Sequence, residues 1–149
     1  MQFTLLGTGT PSPSGRRQSA GYLIEADDHK IVIDHGGGAF QRLIELGIKA
    51  QDITALIVSH LHSDHSLDIP RLVLTRWYQG GGRAAPLRVF GPAPIRSVFD
   101  RLFGPHGAFA PDIRARCEHP ASLAIFAARG GAGRRAPPAF ELTEVSPGE

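Results

Sequence analysis

Residues 55–65 constrain this chain more than any other stretch. Ala55-Leu56-Ile57-Val58 is an unbroken apolar run of strand length, the pattern of a strand buried on both faces. It leads directly into Ser59-His60-Leu61-His62-Ser63-Asp64-His65, which gathers three of the 7 histidines and one carboxylate. Neutral imidazole and carboxylate are natural ligands for zinc and neighbouring transition metals. The cluster also follows a buried strand, and the C-terminal ends of strands are where open α/β sheets place their sites. A helical His-Glu-x-x-His site does not fit, because it needs histidines four apart on one face. His60 and His62 are two apart and would face away from each other on a helix. In a loop that turns sharply, His60 and His62 can converge on one metal while Asp64 and His65 point to a second. A solvated or helix-capping loop is the bland alternative, and a lone histidine would favour it. Three histidines and an aspartate in this order weigh against it.

The rest of the chain reads as a layered α/β domain. Gln2–Leu6 is a short strand stopped by Gly7, Gly9 and the Pro11/Pro13 pair. Gly21–Glu25 and Lys30–Ile33 form a hairpin, with Asp27, Asp28 and His29 near its turn. Gly36, Gly37 and Gly38 follow at once and permit a sharp backbone turn. Helical spacing appears over Ala39–Leu46, closed by Gly47, over Ile69–Tyr78 with Pro70 in the first turn, and over Pro94–Phe103. Leu87–Phe90 and Phe140–Val145 are further strands, and Ser146-Pro147-Gly148 is a turn signal. Between Gly104 and Pro138, Gly, Pro, Ala and Arg dominate and periodicity is poor. The expectation there is a long excursion, a lid or surface insertion, with one helical turn.

Composition excludes some classes. At 149 residues the chain supports one domain with a real core. The 42 % hydrophobic and 20 % charged shares are those of a globular chain. The net charge of +2 is weak grounds for an anionic partner. Cys117 is the only cysteine, so no intramolecular disulfide forms, and a reducing, cytoplasmic setting is expected. The N-terminus lacks a basic region and does not read as a signal peptide. No apolar run approaches the roughly 20 residues of a membrane span.

His-x-His-x-Asp-His after an apolar strand resembles the metallo-β-lactamase superfamily. Leu6-Gly7-Thr8-Gly9-Thr10 and the Ile33-Asp34-His35-Gly36-Gly37-Gly38 turn look like its ribonuclease Z and arylsulfatase-like branch. His35 departs from the Asp-Cys-Gly turn usual there. The resemblance implies an αββα sandwich, of which residues 1–149 supply roughly the first half. It implies two zinc ions, or other divalent metals, in the complete domain. His60 and His62 match ligands of the first, Asp64 and His65 ligands of the second. Asp64 also matches a position assigned to proton transfer, and Asp34 a buried carboxylate beside the site, though an aspartate there is equally a common turn former. Arg16 and Arg17 match a loop that touches anionic substrate in some relatives, and a plain surface loop explains them at least as well.

The implied chemistry is hydrolysis of a phosphodiester or ester, small molecule or larger, by metal-bound hydroxide. The pattern needs a further histidine for each metal and a bridging carboxylate, and none is visible after His65. His29 suits a solvated turn, and His106 and His119 fall in the Gly/Pro-rich excursion. The chain therefore reads as a fragment, inactive alone and prone to associate with itself. The long arm with which some relatives grip tRNA is not evident, which leaves tRNA unsupported as a partner. The competing reading is a non-catalytic or degenerate metal- or ligand-binding module. A nucleic-acid binder built on Arg16, Arg17, Arg83, Arg134 and Arg135 is discounted, because these are scattered without interleaved aromatics.

Overall fold

A computed structural model describes residues 1–12, 14–146 and 148. Pro13 of the expected strand stop and Pro147 of the expected terminal turn lie outside the described residues. Six strands form one sheet in chain order: β1 (Gln2–Gly7), β2 (Gly21–Ala26), β3 (His29–His35), β4 (Ala55–Ile57), β5 (Leu87–Gly91) and β6 (Phe140–Glu144). The first three are antiparallel neighbours, and β3 through β6 run parallel. Parallel neighbours need crossovers. α1 (Ala39–Glu45) and a 3₁₀ turn (Ala50–Asp52) lead to β4. α2 (Ser63–Ser66) and α3 (Ile69–Gln79) lead to β5. α4 (Ile95–Phe103), α5 (Ala110–Glu118) and α6 (Pro120–Ala128) lead to β6.

Strand alternation sorts the sheet into two faces. Register aligns Leu23, Val32, Leu56, Val89 and Leu142 across five strands. This row joins Leu43, Leu72, Ile95 and Phe99 from the helices in one buried core. Burying one such side chain contributes about 1.5–3 kcal/mol. The opposite face carries Phe3, Ile24 and Ile31 in one row and Leu5, Tyr22, Ile33, Ile57 and Phe90 in the next. None of these belongs to the core, and Phe3 and Leu5 are 58 % and 59 % exposed. The sheet is thus covered on one face and apolar and open on the other. Ile57, half-buried, lies on the open face, so β4 is not buried on both faces as its unbroken apolar run suggested.

The helix expected over Ile69–Tyr78 ends one residue later, and that expected from Pro94 starts at Ile95, with Pro94 at its N-cap. The segment 104–138 differs more from expectation. In place of one helical turn it holds two nine-residue helices, α5 and α6. Pro111 and Pro120 sit in their first turns, where a missing N–H costs nothing. Only Ile113 of α5 and Phe126 of α6 are buried, so neither helix shows a clear apolar period. Among the described residues no helix is long and apolar enough to cross a membrane.

Candidate metal centre

The site forms where two parallel strands end side by side. Ile33 of β3 pairs with Ile57 of β4, so Asp34, one residue beyond Ile33, and Ser59, two beyond Ile57, emerge together at the C-terminal edge of the sheet. Asp34 adopts a left-handed backbone conformation, φ 53°, which a short polar side chain tolerates better than most. The turn that follows packs Gly36 so closely on the Asp64 carbonyl that a Cβ would collide with it. Gly36 N–H donates to Ala20 O at 2.8 Å. This close approach brings β3 and α2 together.

Asp34 is 3 % exposed and organises the cluster. Its Oδ1 accepts the Ser59 backbone N–H at 2.8 Å, and its Oδ2 accepts the Ser59 hydroxyl at 2.7 Å. His65 Nδ1 lies 2.7 Å from the same Oδ2. A carboxylate only accepts, so His65 must carry its proton on Nδ1 and present a bare Nε2. The Ser59 hydroxyl donates its one hydrogen to Asp34, so its oxygen accepts from His60 Nδ1, 3.0 Å away. His60 is thereby held in the same tautomer, with Nε2 free. One buried carboxylate, directly and through one hydroxyl, engages Nδ1 of two histidines and leaves Nε2 of each without its proton. Asp34 is therefore more than a turn residue.

The structure brings the four expected ligands together. The His60 ring centroid is 4.6 Å from that of His62 and 4.0 Å from that of His65. Asp64 Oδ2 is 3.5 Å from His65 Nε2, near the roughly 3.4 Å that separates two ligands on one tetrahedral zinc. Asp64 is 8 % exposed, and its Oδ1 has no hydrogen-bond partner among the described residues. His62 caps the N-terminus of α2, and Asp64 and His65 lie within that helical turn rather than in an irregular loop. Among the described residues no three His, Cys, Asp or Glu side chains are arranged to hold one ion together.

His29 opens β3 and is exposed. His106 precedes α5 in an exposed stretch, and His119 caps α6, its Nδ1 accepting from Ala121 N–H at 3.2 Å. Among the described residues none of the three shares a hydrogen bond or ring contact with the cluster. His35, next to Asp34, is fully buried, and neither ring nitrogen has a partner among the described residues. Burial, with a smaller contribution from the Arg71 charge, pushes its pKa down to about 3. Its ring meets Phe40 edge-on at 6.2 Å, so it acts as a core aromatic.

Two supporting residues escaped the sequence reading. Ser59 relays Asp34 to His60, and a hydroxyl directly before a histidine was the only signal for it. Asp68 Oδ2 accepts from Gly38 N–H at 2.8 Å and Phe40 N–H at 3.1 Å, capping α1 from another element. Its own N–H donates to His35 O at 2.9 Å. No local pattern announces so distant a cap.

A family model for the metallo-β-lactamase superfamily matches residues 14–145. The chain belongs to the metallo-β-lactamase superfamily. Among relatives in this superfamily, ribonuclease Z of Mycobacterium sp. strain KMS is 34 % identical over 148 residues, 99 % of this chain and 47 % of that protein. The crystal structure of human tRNase Z, short form, superposes with a TM-score of 0.61 at 30 % identity, over 68 % of this chain and 39 % of that one. The metallo-β-lactamase-fold protein YhfI of Bacillus subtilis gives 0.58 at 25 % identity, over 67 % and 40 %. The chain spans about half the length of the curated relatives it matches.

Proposed function

We propose that this chain is the metal-binding first half of a dinuclear, zinc-dependent phosphodiesterase- or esterase-like hydrolase. The observation that carries the reading is the Asp34–Ser59 relay, which leaves Nε2 of His60 and His65 free beside His62 and Asp64. His60 and His62 would hold one cation, Asp64 and His65 the other. When bound, the cations would supply Lewis acidity and a water activated near neutral pH. Asp64, one of whose oxygens has no hydrogen-bond partner among the described residues, would take and return a proton. Asp34 and Ser59 hold the histidines and do not meet substrate. The likeness to ribonuclease Z relatives supports an RNA phosphodiester as substrate class. The donors completing each metal would come from outside these 149 residues, in keeping with the half-length match.

Two donors per cation make a weak site, since stable zinc sites usually have at least three protein ligands. Calorimetric titration of the purified chain is expected to give zinc affinity far below that of a structural site, with no hydrolysis of a phosphodiester or ester. Nanomolar zinc binding with metal-dependent turnover would show that these residues suffice alone. Binding without turnover after the chain is joined to its missing donors would favour the ligand-binding module.

The open sheet face belongs to the same proposal. Apolar side chains left contiguous and solvent-accessible across a sheet face favour association with another surface. Sedimentation is expected to show concentration-dependent self-association, reduced by Ile24→Lys with Ile33→Lys on that face. A monodisperse wild-type monomer with cooperative, reversible unfolding would contradict it.

A further inference from the structure

β5 and β6 begin at Leu87 and Phe140, the end of the sheet opposite the histidine cluster. Two cavities share the segment 134–137 there. The smaller, about 180 Å³, lies among Trp77, Leu87 and Phe126. The larger, about 700 Å³, has an apolar lining from Phe103, Ile113 and Cys117, with Arg114 and Glu118 also on it. Arg134 and Arg135 line both. The sequence reading set these arginines aside as scattered and lacking aromatic neighbours. The fold instead stacks the Arg135 guanidinium 4.2 Å over the Trp77 ring and 5.2 Å from Phe126.

Arg135 is 3 % exposed, forms no ion pair among the described residues, and reaches only the Arg116 carbonyl, at 3.5 Å through Nη1. Its Nε and Nη2 have no hydrogen-bond partner among the described residues. Free guanidinium donors held out of water are costly unless an acceptor meets them. Three arginines and one glutamate are among the residues lining the larger cavity. That excess of two positive charges matches a phosphate monoester, whose oxygens an arginine fork grips two at a time. The apolar lining asks for a hydrocarbon or aromatic body on the same molecule.

We propose that this cavity binds a phosphate monoester with an apolar body, the phosphate against Arg134 and Arg135 and the body against Phe103, Ile113 and Cys117. The site is separate from the metal centre and does not depend on the hydrolase reading.

Trp77 is the only tryptophan and stacks on Arg135, so its fluorescence reports the site. Octyl phosphate, below its micelle concentration, is expected to change Trp77 emission saturably. Inorganic phosphate, octanol and octanoate should each bind about ten-fold more weakly or worse, since each lacks the body, the charge or the second charge. Arg134→Gln, an exposed change that spares the fold, should weaken octyl phosphate by about ten-fold. Ile113→Phe, which fills the cavity, should weaken it similarly. No saturable change, equal binding of octanol or octanoate, or an unaltered midpoint in Arg134→Gln would overturn the proposal.

Discussion

Replacing Asp34 with alanine is expected to cost about 3 kcal/mol of stability and to lower zinc affinity roughly 10–100-fold, although Asp34 touches no metal in this account. The substitution strands the Ser59 N–H, the Ser59 hydroxyl and His65 Nδ1 together. Asp34→Asn separates the two effects. It keeps the shape, yet an amide N–H facing His65 Nδ1 would force the imidazole proton onto Nε2 and block that nitrogen as a ligand. The asparagine variant should therefore lose zinc affinity comparably while losing less stability. Denaturant unfolding and zinc titration on the same samples decide it. Unchanged zinc affinity in both variants would remove Asp34 from the site.

The second large effect is acid sensitivity centred on His35. Its folded pKa of about 3 lies well below the usual 6.5. Above about pH 6.5 the imidazole is neutral in both states and contributes nothing. As pH falls from there, the unfolded chain takes up the proton and the folded chain does not, so stability drops by about 1.4 kcal/mol per pH unit. The fall ends near pH 3, where the folded state also protonates, for a total of about 5 kcal/mol. Domains of this size are stable by only about 5–15 kcal/mol, so acid unfolding is expected well above pH 3. His35→Leu replaces the ring with an apolar side chain of similar size. It should flatten the pH dependence between 6 and 4 while changing stability at neutral pH by under about 1.5 kcal/mol. An unaltered pH slope in His35→Leu would assign the acid sensitivity to other groups.

Much of this was legible in the residues. The apolar run before His60 placed a strand, and the spacing of His60, His62, Asp64 and His65 named a cluster that the fold does bring together. Apolar runs and their turn-forming flanks are local, so they found β1 through β6 with boundaries off by one or two residues. Three things were not local. The apolar run Ala55–Val58 could not reveal that one face of the sheet has no partner within these residues, because an open apolar face and a buried one read alike. The helices α5 and α6 were hidden because each buries a single residue, leaving prolines and glycines to dominate the pattern. The Asp34–Ser59–His60 relay joins positions 25 residues apart, which only the register of β3 against β4 brings together.

The central claim is that His60, His62, Asp64 and His65 are metal ligands. Zinc-edge anomalous diffraction from crystals of this chain soaked in zinc tests it most directly. The account predicts one peak about 2.0–2.2 Å from Nε2 of His60 and a ring nitrogen of His62, and a second at the same distance from Nε2 of His65 and a carboxylate oxygen of Asp64. Zinc found only at His29, His106 or His119, with the cluster at Asp34 left without a peak at saturating metal, would contradict it.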